Sequence, residues 1–200
     1  MALKNAAKCT ESIVARILST DKAKIKADQE FNFFDSAFLL IGRHDVDFCV
    51  NVDYHLERKN KRFNLSGGFH VGGEGDLNID LDITLHDGLL DLNNLLLKLD
   101  LINLVRHEIE HCMQNCLEGY WDIYDFSNVT AVDDYYTLRS EIPAYVQGFC
   151  LESKNVNVAY KKMKKFCRKK KIMRCFPQWK NFAESNKDKL FFVDSLTLKL

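Results

Sequence analysis

Two histidines four residues apart, with a glutamate directly after the first, are the residues here best placed to do chemistry. They read His107-Glu108-x-x-His111, within Leu104–Cys112. Side chains at i and i+4 of a helix share one face, one turn apart, so both imidazoles can approach one metal ion from the same side. Glu108 follows the first imidazole by one residue. Its carboxylate therefore falls beside the ion rather than on it, where a general base that takes a proton from water belongs. Zinc suits such a set, because imidazole nitrogens and a carboxylate are its ordinary ligands and a fourth position stays open. The opposing reading is a surface helix whose His and Glu side chains are simply solvated.

The elements that must position these groups come next. Residues 91–116 read as one helix. Leu92, Leu95, Leu96, Leu99, Ile102, Val105, Ile109, Cys112 and Met113 keep a three-to-four period, and Leu97, Leu101 and Leu104 broaden the stripe. A helix apolar over so much of its circumference is buried, so His107 and His111 project from a core helix. After a loop at 117–134 rich in aromatics and acids, Pro143 indicates a new helix. Proline is tolerated in a first turn and disrupts an interior, so this helix starts near Ser140 as N-cap and runs to about Leu151. That puts Glu141 at the start of a helix, from which its carboxylate can point across at the two imidazoles.

Before the central helix the period changes to two. Val46, Phe48, Val50, Val52, Tyr54 and Leu56 alternate with polar residues, as in a strand with one face on a core. Residues 57–62 (ERKNKR) make a charged turn. Phe63 and Leu65 start a second strand before Gly67-Gly68, and the glycines at 72, 73 and 75 mark another turn. Leu77, Ile79, Leu81, Ile83 and Leu85 form the cleanest strand. Two or three strands imply a small, mostly antiparallel sheet whose apolar face covers the helix. The acids of 76–82 lack the spacing of a calcium loop and read as a solvated sheet face or a blunted edge. Residues 4–20, with Ala7, Ile13, Val14, Ile17 and Leu18 apolar, make an amphipathic helix packed on the outside of the domain. Residues 21–35 read as a connector into a short buried strand or helix end at Phe38–Ile41.

The 28 basic residues balance the 28 acidic ones, and 46% hydrophobic content is ample for a core, so composition excludes neither an enzyme nor a binding module. The seven cysteines have no repeated spacing and read as free thiols in a reducing compartment, with Cys112 and Cys116 as small core residues. No stretch resembles a signal peptide or a membrane span, so the expected location is cytoplasmic or virion-associated. Charge is uneven near the C-terminus. Lys161, Lys162, Lys164, Lys165, Arg168, Lys169, Lys170, Lys171 and Arg174 crowd a helix whose apolar stripe is Val156, Tyr160, Met163, Phe166 and Cys167. The 161–174 stretch is either the solvated outer face of a packed helix or a contact for nucleic acid or another anionic partner. Pro177, Trp179 and Phe182 suggest a further helix, and Leu190–Val193 a closing strand or tail.

His107-Glu108-x-x-His111, followed about thirty residues later by Glu141 in E-x-x-A-Y, resembles the gluzincin zinc metallopeptidases, in which the third ligand is a Glu on a second helix. The compact prokaryotic or phage-type members are the most similar, with Gln114 matching their H-E-x-x-H-x-x-Q. The resemblance covers residues 104–150. The metzincin pattern wants Gly at 114 and His at 117, where this chain has Gln114 and Leu117, and the thermolysin-type N-E-x-x-S-D is absent. The resemblance implies His107, His111 and Glu141 as zinc ligands and Glu108 as base. It also implies a tyrosine, Tyr145 or Tyr136, that donates a hydrogen bond to an oxyanion. Asp133 and Asp134 are reserve third ligands.

The resulting expectation is an α+β, zincin-like single domain over 1–200, with a catalytic core at 1–154 and a basic helical part at 155–200. It would hydrolyse peptide or protein substrates, with an edge strand near 76–85 aligning the extended chain. The rival expectations are a zinc-bound but non-catalytic structural or accessory protein, and a nucleic-acid-binding helical module with a coincidental motif.

Overall fold

Alternation of apolar and polar residues carries directly into a four-stranded sheet. A computed structural model of the chain describes residues 2–19, 31–41, 44–57, 63–72, 76–86, 95–118 and 132–192. The elements are α1 (Ala2–Leu18), β1 (Phe31–Ile41), β2 (His44–Glu57), β3 (Asn64–Val71), β4 (Leu77–His86), α2 (Leu95–Glu118), α3 (Val132–Tyr135), α4 (Glu141–Leu151), α5 (Val156–Lys170) and α6 (Phe176–Ser185). The expected connector over 21–30, most of the charged turn, the glycines at 73 and 75, the helix onset at 91–94, the bulk of the 117–134 loop and Val193 lie outside the described residues.

The sheet order is β1-β2-β4-β3. β1 pairs antiparallel with β2, β2 parallel with β4, and β4 antiparallel with β3. The fold class is α+β, as expected, with a sheet that is mixed but mostly antiparallel. Three expectations are corrected. β4, not an edge strand, is paired along both sides, and β3 takes the edge position. β3 also runs through Gly67-Gly68 rather than stopping before them. Phe31–Ile41 is one long strand rather than a connector and a short element.

One face of the sheet is apolar. Phe48, Val50, Val52 and Tyr54 of β2 and Ile79, Leu81 and Ile83 of β4 are buried with Ile13, Val14 and Ile17 of α1 and Leu97, Leu101, Val105 and Ile109 of α2. So α1 is not an outer addition. Its apolar side belongs to the main core, and Tyr54 Oη donates to the Ile17 carbonyl at 3.2 Å. The other face is polar: Asn51 Nδ2 donates to Asp80 Oδ1 at 2.8 Å and Ser66 Oγ to Asp82 Oδ2 at 3.3 Å. The acids of 76–82 thus behave as a solvated sheet face.

A second apolar cluster gathers α4, α5 and α6 around Trp179, which is fully buried with Val146, Cys150, Met163 and Cys167. Trp179 Nε1 donates to the Tyr136 carbonyl at 3.0 Å. α5 is capped by Asn155, whose side chain accepts from the Val158 N–H, and its basic residues lie outside the buried Ala159, Met163 and Cys167. Among the described residues, no helix is long and apolar enough to cross a membrane.

α2 joins the two clusters. Its crossing with α4 is close at Gly148, where an added Cβ would stand 2.8 Å from the Asn103 carbonyl oxygen. Only a residue without a side chain permits that approach.

Candidate metal centre

The two helices bring three side chains to one point. α2 presents His107 and His111 one turn apart, and the first residue of α4 presents Glu141 opposite them. His107 Nε2 and His111 Nε2 are 3.1 Å apart. Glu141 Oε2 lies 3.3 Å from His107 Nε2, and Glu141 Oε1 lies 3.4 Å from His111 Nε2. All are buried: His107 is 6% exposed, His111 4%, Glu108 4% and Glu141 2%.

These separations suit a cation. Ligands about 2.05 Å from a tetrahedral zinc ion stand about 3.3 Å from one another, close to each of the three distances. The polar inventory points the same way. His107 Nδ1 and Glu141 Oε2 are buried without completing a hydrogen bond among the described residues, which is costly in a protein interior unless another partner is present. Two imidazoles and a carboxylate are a donor set that fits zinc.

Two carboxylates compete for the third place. One nitrogen of each histidine and one Glu108 oxygen also fall within 4.8 Å of one another. Glu141 is the better placed of the two to complete such a set, because each of its oxygens faces an imidazole nitrogen directly. The Glu108 carboxylate instead accepts from the Phe69 backbone N–H on β3, which holds it to the side. Asp134 is engaged elsewhere, with Arg174 Nη2 at 3.2 Å. The side chain of Asp133 lies outside the described residues.

The electrostatics separate the two acids. Burial pushes the Glu108 carboxyl above the ordinary range, and the neighbouring imidazoles only partly offset this. Burial acts on Glu141 too, but the two imidazoles on its oxygens outweigh it and hold its pKa at about 2. Burial would lower the His111 imidazole, yet Glu141, Glu108 and Gln114 together raise it.

Support around the site comes from Gln114, which the H-E-x-x-H-x-x-Q spacing brought out, and from groups that spacing does not single out. Gln114 Oε1 lies 3.0 Å from His111 Nδ1. With Nδ1–H donating to that oxygen, the Nε2 lone pair of His111 is turned toward Glu141. The hydroxyl of Ser140 does not cap α4 as expected: Ser140 is helical at φ −74° and makes no side-chain cap bond. Tyr135 is a further addition, its hydroxyl within hydrogen-bonding reach of Glu141.

The two expected tyrosines are both close. Tyr145 meets the His107 ring edge-on, with centroids 4.4 Å apart, and stacks on Trp179 at 4.8 Å and 11°. Tyr136 packs against Tyr145 at 5.3 Å and shares a hydrogen bond with it. Burial raises the pKa of all three phenols, so each keeps its proton near neutral pH.

The site opens on a cleft of about 480 Å³ that His107 and Glu108 line together with Tyr135, Tyr145 and the stretch from Phe63 to Gly67 at the sheet edge. No family model, no curated protein and no solved structure matches the chain.

Proposed function

We propose that the chain is a zinc-dependent peptidase of zincin-like architecture, with His107, His111 and Glu141 as ligands in the gluzincin manner and Glu108 as general base. The observation that carries this reading is the convergence of two Nε2 atoms and one carboxylate at 3.1 to 3.4 Å, beside a cleft that His107 and Glu108 line. Bound zinc supplies Lewis acidity, which acidifies water and polarises a carbonyl.

The chain's own residues do the rest. Glu108, its affinity for a proton raised by burial and its orientation fixed by Phe69 N–H, accepts the proton from water and passes it to the leaving amine. Tyr145, packed between His107 and Trp179 with its hydroxyl donating to Tyr136, and Tyr135, its hydroxyl on Glu141, are the protonated phenols nearest the site, and either one exchanges that bond to donate to an oxyanion. The outer edge of β3, lining the cleft from Asn64 to Gly67, offers main-chain groups to an extended peptide.

Elemental analysis of the purified protein, paired with two variants, tests the reading. One equivalent of zinc is expected. Glu108→Gln keeps the metal and lowers peptide hydrolysis by about 10² to 10⁴-fold, whereas His107→Ala loses both. A Glu108→Gln protein as active as the wild type removes hydrolysis from the account. Metal without turnover by the wild type leaves a zinc-bound, non-catalytic protein.

A further inference from the structure

The basic stretch of α5 and the cleft meet. Lys169 and Lys170, in the last turn of α5, line the same cleft as His107 and Glu108. Both are exposed, and Arg168 and Lys171 flank them. Two acids face this end. Asp100 of α2, also exposed, feels the charges of Lys162 and Lys169. Glu152 is buried, with Oε2 3.4 Å from Lys162 Nζ. With Glu152 matched by Lys162, the single carboxylate of Asp100 stands against the two lining cations Lys169 and Lys170. That end of the cleft is cationic.

Its distance from the chemistry follows from helix geometry. Asp100 precedes His107 by seven residues on one helix, about 10 Å along the axis at about 1.5 Å per residue. An extended peptide covers that span in about three residues. The lining also includes Asn64 to Gly67 of β3, whose outer edge no described strand pairs although its Phe69 N–H is taken by Glu108. A free strand edge is complementary to a polypeptide main chain rather than to phosphates.

We propose that the cleft selects peptides carrying an acidic residue about three positions from the bond held at Glu108, its carboxylate seated against Lys169 and Lys170. This deepens the peptidase reading and rests on it.

The Glu108→Gln protein leaves peptides intact, so binding can be measured apart from turnover. End-labelled peptides identical except for Asp, Asn or Lys three positions either side of the centre are titrated by fluorescence anisotropy. The Asp peptide is expected to bind about tenfold more tightly than the Lys peptide at low salt, the product of two exposed charge contacts. The difference shrinks as ionic strength rises. The added pair Lys169→Glu/Lys170→Glu reverses the order, and Asp100→Asn, which removes the competing carboxylate, strengthens Asp-peptide binding about twofold.

Equal binding of the three peptides, no binding of any, a preference that survives the double charge reversal, or displacement of all peptides by a single-stranded DNA oligomer would each overturn the proposal. Turnover of the same peptides by the zinc-loaded wild type is read separately. Turnover with no acid preference overturns this inference and leaves the hydrolytic reading standing. An acid preference in binding with no turnover does the reverse.

Discussion

Gln114 Nε2 donates to the Ser140 carbonyl at 2.9 Å while its Oε1 sits 3.0 Å from His111 Nδ1. One amide therefore ties the second imidazole of α2 to the residue before Glu141 on α4. It sets the histidine tautomer and the spacing between the helices together.

On the proposed zinc reading, Gln114→Ala is expected to lower metal affinity by about 10 to 100-fold, as loss of a ligand's supporting partner does, while the protein stays folded. Gln114→Glu keeps an acceptor for His111 but loses the donor to Ser140, so it should fall between. Competition against a chromogenic chelator measures both. Unchanged affinity in the alanine variant would assign Gln114 to packing alone.

Gly148→Ala reverses an ordinary expectation. In a helix interior, Ala is favoured over Gly by about 1 kcal/mol. Here the new methyl would stand 2.8 Å from both the carbonyl and the Oδ1 of Asn103. The helices must separate, and a destabilisation of about 1 to 3 kcal/mol follows. Because α4 carries Glu141, metal affinity should fall in the same variant. Urea denaturation and chelator competition on one preparation test the pair of effects.

Glu152 gives the fold a pH dependence of known sign. Burial raises its pKa to about 7, against 4.5 for an ordinary glutamate, although Lys162 draws it down. Between those values the folded chain holds a proton that the unfolded chain releases, so stability falls as pH rises through the window and levels off above it. The loss is on the order of 3 kcal/mol relative to a variant without the group. Wild type minus Glu152→Gln, from melts between pH 4 and pH 8, isolates it. A flat difference would contradict the assignment.

Cys116 differs from the other thiols. It is exposed, one helical turn after the buried Cys112, rather than the core residue its spacing suggested. A hydrogen bond from the Cys112 thiol lowers its pKa to about 7 despite partial burial. Burial drives Cys150 and Cys167 up to about 12. Iodoacetamide should label Cys116 with a rate inflection below the ordinary thiol value and spare Cys112, Cys150 and Cys167 in the folded protein, as read by peptide mass spectrometry. Cys112→Ala should return the inflection toward the ordinary thiol value.

Period alone made β2, β4 and α2 legible, because each buries one regular face: Phe48 to Tyr54, Ile79 to Ile83, Leu97 to Ile109. The start of β3 near Phe63 and Leu65 was legible, but its continuation was concealed by Gly67. Its Cβ would stand 2.9 Å from Leu81 Cδ2 and 3.3 Å from Leu104 Cδ1, so neighbours fill the place an inward side chain would take. A glycine required by close packing is indistinguishable in sequence from one required by a turn. Strand order was equally hidden, since alternation reports which face is buried and not which strand lies alongside. At the site, helical spacing brought out His107, Glu108 and His111, and Pro143 located Glu141. Tyr135, the Phe69 N–H and the two hydrogen bonds of the Gln114 amide depend on how α2 meets β3 and α4, which no local pattern encodes.

β3 leaves the sheet's growing side open after β2 and waits at a distance for β4 to fill the gap between them. During synthesis from the N-terminus, the strand that walls the cleft therefore has no lateral neighbour until residues 77–86 have emerged. Both histidines follow later, and Glu141 later still. A ribosome-bound chain thus holds neither the paired strand that walls the cleft nor all three of His107, His111 and Glu141 together until α4 has been made.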